Sequence, residues 1–525
     1  MYIEPRTNIR FLSGVPLDES YEHTIYFANK TAQASYFASK TKYQVPDSTY
    51  QRVNRGRCRI GVGAENLYNC NYMMFQNQSY GTKWFYAFVL SVEYISDGCT
   101  EVTFEIDPIQ TYCFDWHMRQ CLVERQHVRD DSIGANLMAE PVDLGDYVGN
   151  DYQETVGLNK MVLIVATGSE PDSLQGGVPV SGSVISGMYS GVKYQPFYIQ
   201  NDDMSWNTSQ INQANSYLEA CTSAGISESV VSVFMMPEIF CENIVGNDKP
   251  IPVKYTELFV MQDAYKLDGY TPKNKKMYTY PYNALRVDNG QNSKIYKFEF
   301  FPKYNIGDNY DRSYQFEIWT QLSCAPSLLM IPYKYKGVDN NFSESMGLDA
   351  FGQCAYTIDG YRAWLAQNSI KTSYNFMQNL AGITIAVATA NPILGASQLL
   401  GAGQTLSNIA QAGMLPDKVN GTQTANVLLA NSHLGFYFTR LSVNRKYAKM
   451  IDDFFTKYGY AVNELRVPEL DVRPHWTYVK TKKCVMECDA PADDVKKICS
   501  IFDNGITWWR NASEVGNYSL DNSPT

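Results

Sequence analysis

A chain of 525 residues is too long for one hydrophobic core, so its length implies several domains, some built from non-contiguous segments. A formal charge of −10, from 54 Asp and Glu against 44 Lys and Arg, excludes a general nucleic-acid-binding surface, because phosphate binding needs concentrated cations. Twelve scattered cysteines form neither a CxxC metal framework nor the dense pattern of a small secreted domain, so reduced, buried thiols are expected.

The opening MYIEPRTNIRFLSGVPLDES has no basic stretch followed by an apolar one, so nothing marks a signal peptide and synthesis in a cytoplasm is expected. With 39 Tyr and 24 Phe among many Asn, Thr and Ser, the chain reads as mainly β with a few helices, an α+β fold. Lys83 to Ile95 and Thr100 to Asp107 are β-rich runs joined through SDG, where Asp97-Gly98 suits a hairpin turn. In the second run Val102, Phe104 and Ile106 alternate with Glu101, Thr103, Glu105 and Asp107, which predicts one buried face and one wetted, largely acidic face. Glu105 and Asp107 could in principle serve as the acid and base of a glycosidase, but the alternation fits a solvated or channel-facing stripe better. From about Gly134 to Thr372, segments such as KMVLIVATG and VVSVFMMPEIF alternate with Gly-, Asn- and Pro-rich connections, as in one or more β-rich domains. Met204 to Ser227 is a candidate helix with a glycine stop, although its apolar spacing is irregular.

Asn375 to Pro416 contains no Lys, Arg, Asp or Glu. Its candidate membrane-active positions are Phe376, Leu380, Gly382, Ile383, Ile385, Ala386, Val387, Ala390, Pro392, Ile393, Leu394, Leu399, Leu400, Leu406 and Ile409. As a helix, Leu380 to Gly403 would span roughly 36 Å against a hydrocarbon core of about 30 Å. Its bulk is Ala and Gly rather than Leu, with Thr384, Thr389, Asn391, Ser397 and Gln398 inside, so insertion as a lone helix is marginal. Asn391-Pro392 divides the run into two arms, and Gly382, Ala386 and Ala390 form a small-xxx-small pattern that lets backbones approach closely. On the residues alone, a hairpin buried in the protein or its oligomer is favoured over membrane insertion, and a segment hidden first and exposed later satisfies both.

Beyond it, NRKYAKMIDDFFTKYGY places Tyr447, Met450, Ile451, Phe454 and Tyr458 at helical spacing before Gly459. PADDVKKICSIFDNG repeats the pattern with Val495, Ile498 and Phe502 before Gly505, and ITWW then resumes a strand. In KKCVMECD, Cys484, Met486 and Cys488 share a strand face and read as packing residues rather than ligands. Five histidines are spread without HExxH spacing, and there is no GxSxG elbow, phosphate-binding glycine loop or EF-hand loop. No enzyme, cofactor or metal is therefore expected.

Three longer stretches carry a resemblance: YNCNYMMFQNQSYGTKWFYAF from Tyr68, FEIDPIQTYCFDW from Phe104 with CLVERQHV from Cys121, and IFDNGITWWRNASEVGNYSLDN from Ile501. Together with FFTKYGY from Phe454, they resemble the tail knob, or distal tube, proteins of small short-tailed bacteriophages of Gram-positive hosts. The resemblance implies tail-tube-like β-barrel domains assembled as a homohexamer that rings a channel for DNA, with a long hydrophobic loop as plug. It divides the chain into an N-terminal tube region 1–133, a middle knob region 134–371, a membrane-active loop 372–432 and a C-terminal segment 433–525 that completes the tube. It implies a virion protein at the tail tip, with the lower collar or proximal tube, the tail appendages, the host cell membrane and the passing phage DNA as partners. Glu101, Glu105 and Asp107 become candidates for a lumen-facing acidic stripe. Two alternatives belong to other classes: a tail-associated wall hydrolase using paired carboxylates, and a receptor-binding module whose aromatic loops stack on wall glycans.

Overall fold

The computed structural model describes residues 6–49, 51–54, 56–77, 81–155, 158, 160–170, 178–179, 193–203, 205–226, 230–241, 254–261, 264–290, 292–302, 312–321, 327–348, 353–355 and 435–524. The chain divides into two compact units, the first made of Met1–Gly145, Tyr270–Tyr278 and Arg445–Thr525 and the second of Asp146–Gly269 and Thr279–Asn444. Among the described residues there are five α-helices: α1 Lys30–Ser39, α2 Pro108–Thr111, α3 Thr208–Ser223, α4 Arg445–Tyr458 and α5 Ala492–Asn504.

The first unit is organised by the hairpin of Trp84–Ser96 and Cys99–Ile106, whose two-residue turn pairs Ser96 with Cys99 and places Gly98 at φ +73°. Only a residue without a Cβ adopts that conformation without strain. Around the hairpin a seven-stranded sheet runs in the order Thr41–Thr49, Arg6–Leu12, Tyr72–Asn77, Trp84–Ser96, Cys99–Ile106, Arg57–Ile60, Gln51–Asn54. Its two edge strands are consecutive in the chain with one residue between them, whereas in a flat sheet those edges would lie about 29 Å apart. The sheet therefore curls toward a barrel.

Strand alternation builds both of its faces. Ile9, Phe11, Cys58, Met73, Ala87, Val102 and Phe104 form the inner core. Leu12, Tyr72, Met74, Tyr86 and Phe88 form the outer face, covered by Phe37 of α1, Ile109 of α2 and Ile498 and Phe502 of α5. A five-stranded sheet joins both ends of the unit in the order His23–Ile25, Ile506–Trp509, Trp476–Lys482, Cys121–Gln126, Tyr460–Arg466. Trp476, Trp508 and Trp509 are fully buried in it, and burial of each such side chain contributes about 2–3 kcal/mol.

Helix α4 packs differently from the apolar stripe expected for it. Ala448, Ile451, Asp452, Phe455 and Thr456 are buried, Tyr447, Phe454 and Tyr458 are half-buried, and Met450 is exposed. The cause is Asp452, whose carboxylate accepts from Tyr270 Oη at 2.8 Å, the Lys273 amide at 2.8 Å, the Asn274 amide at 3.0 Å and Asn274 Nδ2 at 2.9 Å. Satisfying those donors turns the charged residue inward and Met450 outward. At the end of α4, Gly459 takes φ +66°, and a Cβ there would lie 2.4 Å from the Gln126 backbone. The Thr456 carbonyl, one of the helix-end acceptors left free by helical geometry, takes Trp476 Nε1 at 3.1 Å and His127 Nε2 at 3.1 Å. In α5, Ile498, Ile501 and Phe502 are buried, Val495 is half-buried, and Gly505 ends the helix as expected.

Among the described residues the second unit has three four-stranded sheets and a two-stranded pair, and in its core the strand Met161–Thr167 is buried at every position. Helix α3 lies inside the range expected from sequence. The expected division at 133/134 falls instead at 145/146, and residues 270–278 belong to the first unit because Asp452 holds them there. The strand Tyr437–Val443, expected in the C-terminal tube segment, pairs with Tyr147–Glu154 and Asn283–Asp288 and so belongs to the second unit. The expected loop 372–432 lies outside the described residues.

Asp452→Ala leaves the Tyr270 hydroxyl and the Lys273 and Asn274 amides without their acceptor, so we expect a loss of about 3 kcal/mol or more in denaturant unfolding, accompanied by faster proteolysis within residues 270–278.

Candidate functional site

The acidic stripe of the hairpin separates into three different environments. Glu101 is buried: Arg59, directly opposite it on the neighbouring strand, donates through Nε at 3.0 Å, and Arg57 donates through Nη1 at 3.4 Å. On its other side Glu101 faces Glu93, a like-charge pair whose repulsion the two guanidinium groups offset. Asp107 lies beyond the strand, which ends at Ile106, and is the N-cap of α2. Its Oδ1 accepts from the Gln110 amide at 3.1 Å and its Oδ2 from Tyr72 Oη at 2.7 Å, with 2% of the residue exposed. Glu105 alone is exposed, and it pairs with Lys497 of α5. The expectation of one wetted acidic face is thus corrected at Glu101 and Asp107. Alternation assigns faces, but cross-strand arginines and an N-cap position draw carboxylates inward.

The Asp107 cap leads into a fully buried polar network. Gln110 Nε2 donates to Thr24 Oγ1 and the Ile25 carbonyl, both at 2.9 Å, and Gln33 Nε2 of α1 donates to the Gln110 carbonyl and Oε1, both at 2.8 Å. The short helix α2 therefore ties the curled sheet to α1 and to the five-stranded sheet. At one end of the barrel a cavity of about 760 Å³ is lined by Ile9, Met73, Phe75, Phe104 and Ile106, with Lys83 and Asp494 among its polar residues. Lys83 is engaged by Asp115 at 2.8 Å, and Asp494 accepts from Tyr112 Oη at 3.3 Å.

Among the buried groups whose titration is displaced, Asp107 and His127 act in opposite senses for stability. Loss of hydration pushes the Asp107 carboxyl up to about 6, against the pull of its Tyr72 and Gln110 hydrogen bonds. His127 donates from Nε2 to Thr456 and accepts the Tyr478 amide on Nδ1 at 2.8 Å, a neutral tautomer that satisfies both nitrogens. Burial, with the nearby Arg473 charge, pushes it down to about 3. Among the described residues no group of three His, Cys, Asp or Glu is arranged to hold a metal, and no helix is long and apolar enough to cross a membrane. The fifteen loop positions from Phe376 to Ile409 lie outside the described residues.

Two of the motifs quoted from the sequence contain buried polar residues, Asp107 and Gln110 in one and Asn522 in another. In the last of them, Asp503 accepts from Thr481 Oγ1 at 2.8 Å, while Asn522 Oδ1 accepts the His475 and Trp476 amides at 3.1 and 3.2 Å. Comparison with known proteins agrees with the resemblance. Residues 248–523 match the family described as the C-terminal domain of tail knob protein gp9 of Bacillus phage phi29. The chain belongs to this tail knob family. Residues 5–117 also match the N-terminus of the caudoviral major tail protein, a range that includes the whole curled sheet. Tail knob protein gp9 of Bacillus phage PZA and that of Bacillus phage phi29 are each 25% identical to this chain, with 98% of both partners covered. The solved tail knob protein gp12 of bacteriophage C1 shares the fold, with a TM-score of 0.63 at 14% identity over 98% of this chain and 99% of that one. The chain is accordingly a structural component of a short-tailed phage virion, located in the tail with other tail proteins.

Sequence reasoning missed Gln110, His127 and Asp452 as structural keys. The D-P pair before IQT was the available signal for the first, since Asp followed by Pro marks an N-cap and N1 position.

The two titrations give signed predictions. The folded value of Asp107 lies above its ordinary value of 3.8, so its contribution is most favourable below that pH and is lost as pH rises toward about 6. Asp107→Asn keeps a capping oxygen, and from pH 4 to pH 7 it should gain about 2–3 kcal/mol relative to the native chain in denaturant unfolding. The folded value of His127 lies below 6.5, so the stability it contributes is complete above 6.5 and drains away as pH falls toward 3. Its imidazole resonances should stay in the neutral form down to pH 5; a midpoint near 6.5 would contradict its buried tautomer.

Proposed function

We propose that six copies of this chain form the distal tube of the tail, a conduit through which DNA leaves the virion. In this reading the uncharged run Asn375–Pro416 closes the channel and afterwards enters the host membrane. The observation that carries it is the position of that run, free of Lys, Arg, Asp and Glu, within residues 248–523, the stretch matched to the gp9 C-terminal domain, in a chain of which 19% is charged. A segment of Ala and Gly with scattered apolar residues is tolerable both packed in a protein and lodged in lipid, as a releasable plug requires. The net charge of −10 per chain suits a wall that repels a passing polyanion weakly at short range. Glu105 is the remaining lumen candidate of the hairpin stripe, because it is exposed although paired with Lys497, whereas Glu101 and Asp107 are buried in an ion pair and a helix cap. The same occupation argues against a wall hydrolase built on these carboxylates, and we assign the chain no catalytic role. The collar or proximal tube and the appendages are its neighbours in this arrangement.

Deletion of residues 375–416 should leave assembly intact and abolish dye release from liposomes. Dye release equal to that of the full chain, from a deletion variant that still assembles, would refute the penetration role.

A further inference from the structure

Three thiols of the first unit stand together. Cys121 opens the strand Cys121–Gln126, and its neighbour Leu122 pairs with Lys482 at the end of Trp476–Lys482, which brings Cys121 to the turn at Lys483-Cys484. Cys499 lies one helical turn before Asp503 on α5. The Asp503 carboxylate accepts the Cys484 amide at 3.0 Å and Thr481 Oγ1 at 2.8 Å, which fixes that face of α5 against the same turn. The Cys484 side chain lies close enough to Cys121 on one side and to Cys499 on the other for the three thiols to influence one another. Cys121 is buried, whereas Cys484 and Cys499 are partly open to solvent.

We infer that Cys484 is the pivot of a redox-sensitive thiol cluster, which closes to a Cys484–Cys499 disulfide when the chain leaves a reducing cytoplasm and meets a low-molecular-mass disulfide as oxidant. The Cys484 thiolate attacks one sulfur of that disulfide and expels the other as a thiolate, leaving a mixed disulfide on Cys484. The Cys499 thiolate then attacks the Cys484 sulfur and expels the second small thiolate. Two protein thiols are oxidised, one small disulfide is reduced to two thiols, and the protons pass from the cysteines to the leaving groups. Cys121 touches the same pivot and is the substitute partner when Cys499 is absent.

The chemistry sets the timing. Burial raises all three thiols, and the Asp503 carboxylate adds to the effect, so little thiolate is present at neutral pH. Closure is slow, and the cluster stays reduced through synthesis and assembly. A virion has no glutathione-reducing machinery of its own, so outside the cell the equilibrium moves toward the disulfide. The bond ties α5 to the turn that follows the central strand of the five-stranded sheet, closing a loop of about fifteen residues.

Full-length protein purified with a reductant, exchanged into oxidised glutathione at pH 8 and digested without reduction tests this by mass spectrometry. The expected result is a Cys484–Cys499 cross-linked peptide that accumulates over hours, with the loss of two titratable thiols per chain. Cys499→Ser should divert the link to Cys121–Cys484, and Cys484→Ser should abolish linkage within the cluster. Glutathione consumed elsewhere with no cross-link at Cys484, or a Cys121–Cys499 link in the Cys484→Ser chain, would overturn the proposal. Should the variants fail to fold, the peptide map of the unsubstituted chain decides alone.

Discussion

The first unit depends on one buried polar junction at the end of its hairpin. Asp107 caps α2 and holds Tyr72 of the curled sheet, while Gln110 of the same turn reaches the strand His23–Ile25 and receives Gln33 of α1. All four polar side chains are at most 4% exposed or lie in the fully buried core, so each hydrogen bond acts where water cannot replace it. Breaking one leaves partners unsatisfied at a cost of about 1–3 kcal/mol each. The curled sheet comes from the N-terminal part of the sequence and the five-stranded sheet from both ends; this junction joins the two, while the His127 and Trp476 contacts to the Thr456 carbonyl tie α4 to the five-stranded sheet.

The legible parts of the fold were those set by local periodicity or by turn chemistry. Asp97-Gly98 marked the hairpin, period-two alternation marked its strands, and Gly459 and Gly505 marked the ends of α4 and α5. The illegible parts were those in which a distant segment changes the meaning of a residue. Nothing local in DDFF signals that Asp452 accepts four hydrogen bonds from residues 270–274, and the same ignorance rotated the expected buried face of α4. Glu101 reads as a wetted carboxylate until the arginines of Arg57–Ile60 are known to lie beside it. The resemblance, by contrast, lay in motifs that include the buried polar residues Asp107, Gln110, Gln126 and Asn522.

The division of labour between the units bears on function. The first unit brings both ends of the sequence together, its curled sheet backed by α1 and α5, with exposed Glu105 paired to half-buried Lys497. Its range overlaps both family matches, to the major tail protein N-terminus and to the gp9 C-terminal domain. In the sequence the uncharged run lies between the strands Gln353–Ala355 and Tyr437–Val443.

The central claim is assembly around a channel, and images of the purified full-length chain in negative stain test it most directly. The account predicts tubular particles with six-fold end views and a central opening. Monomers, or closed particles of another symmetry without an opening, would contradict it.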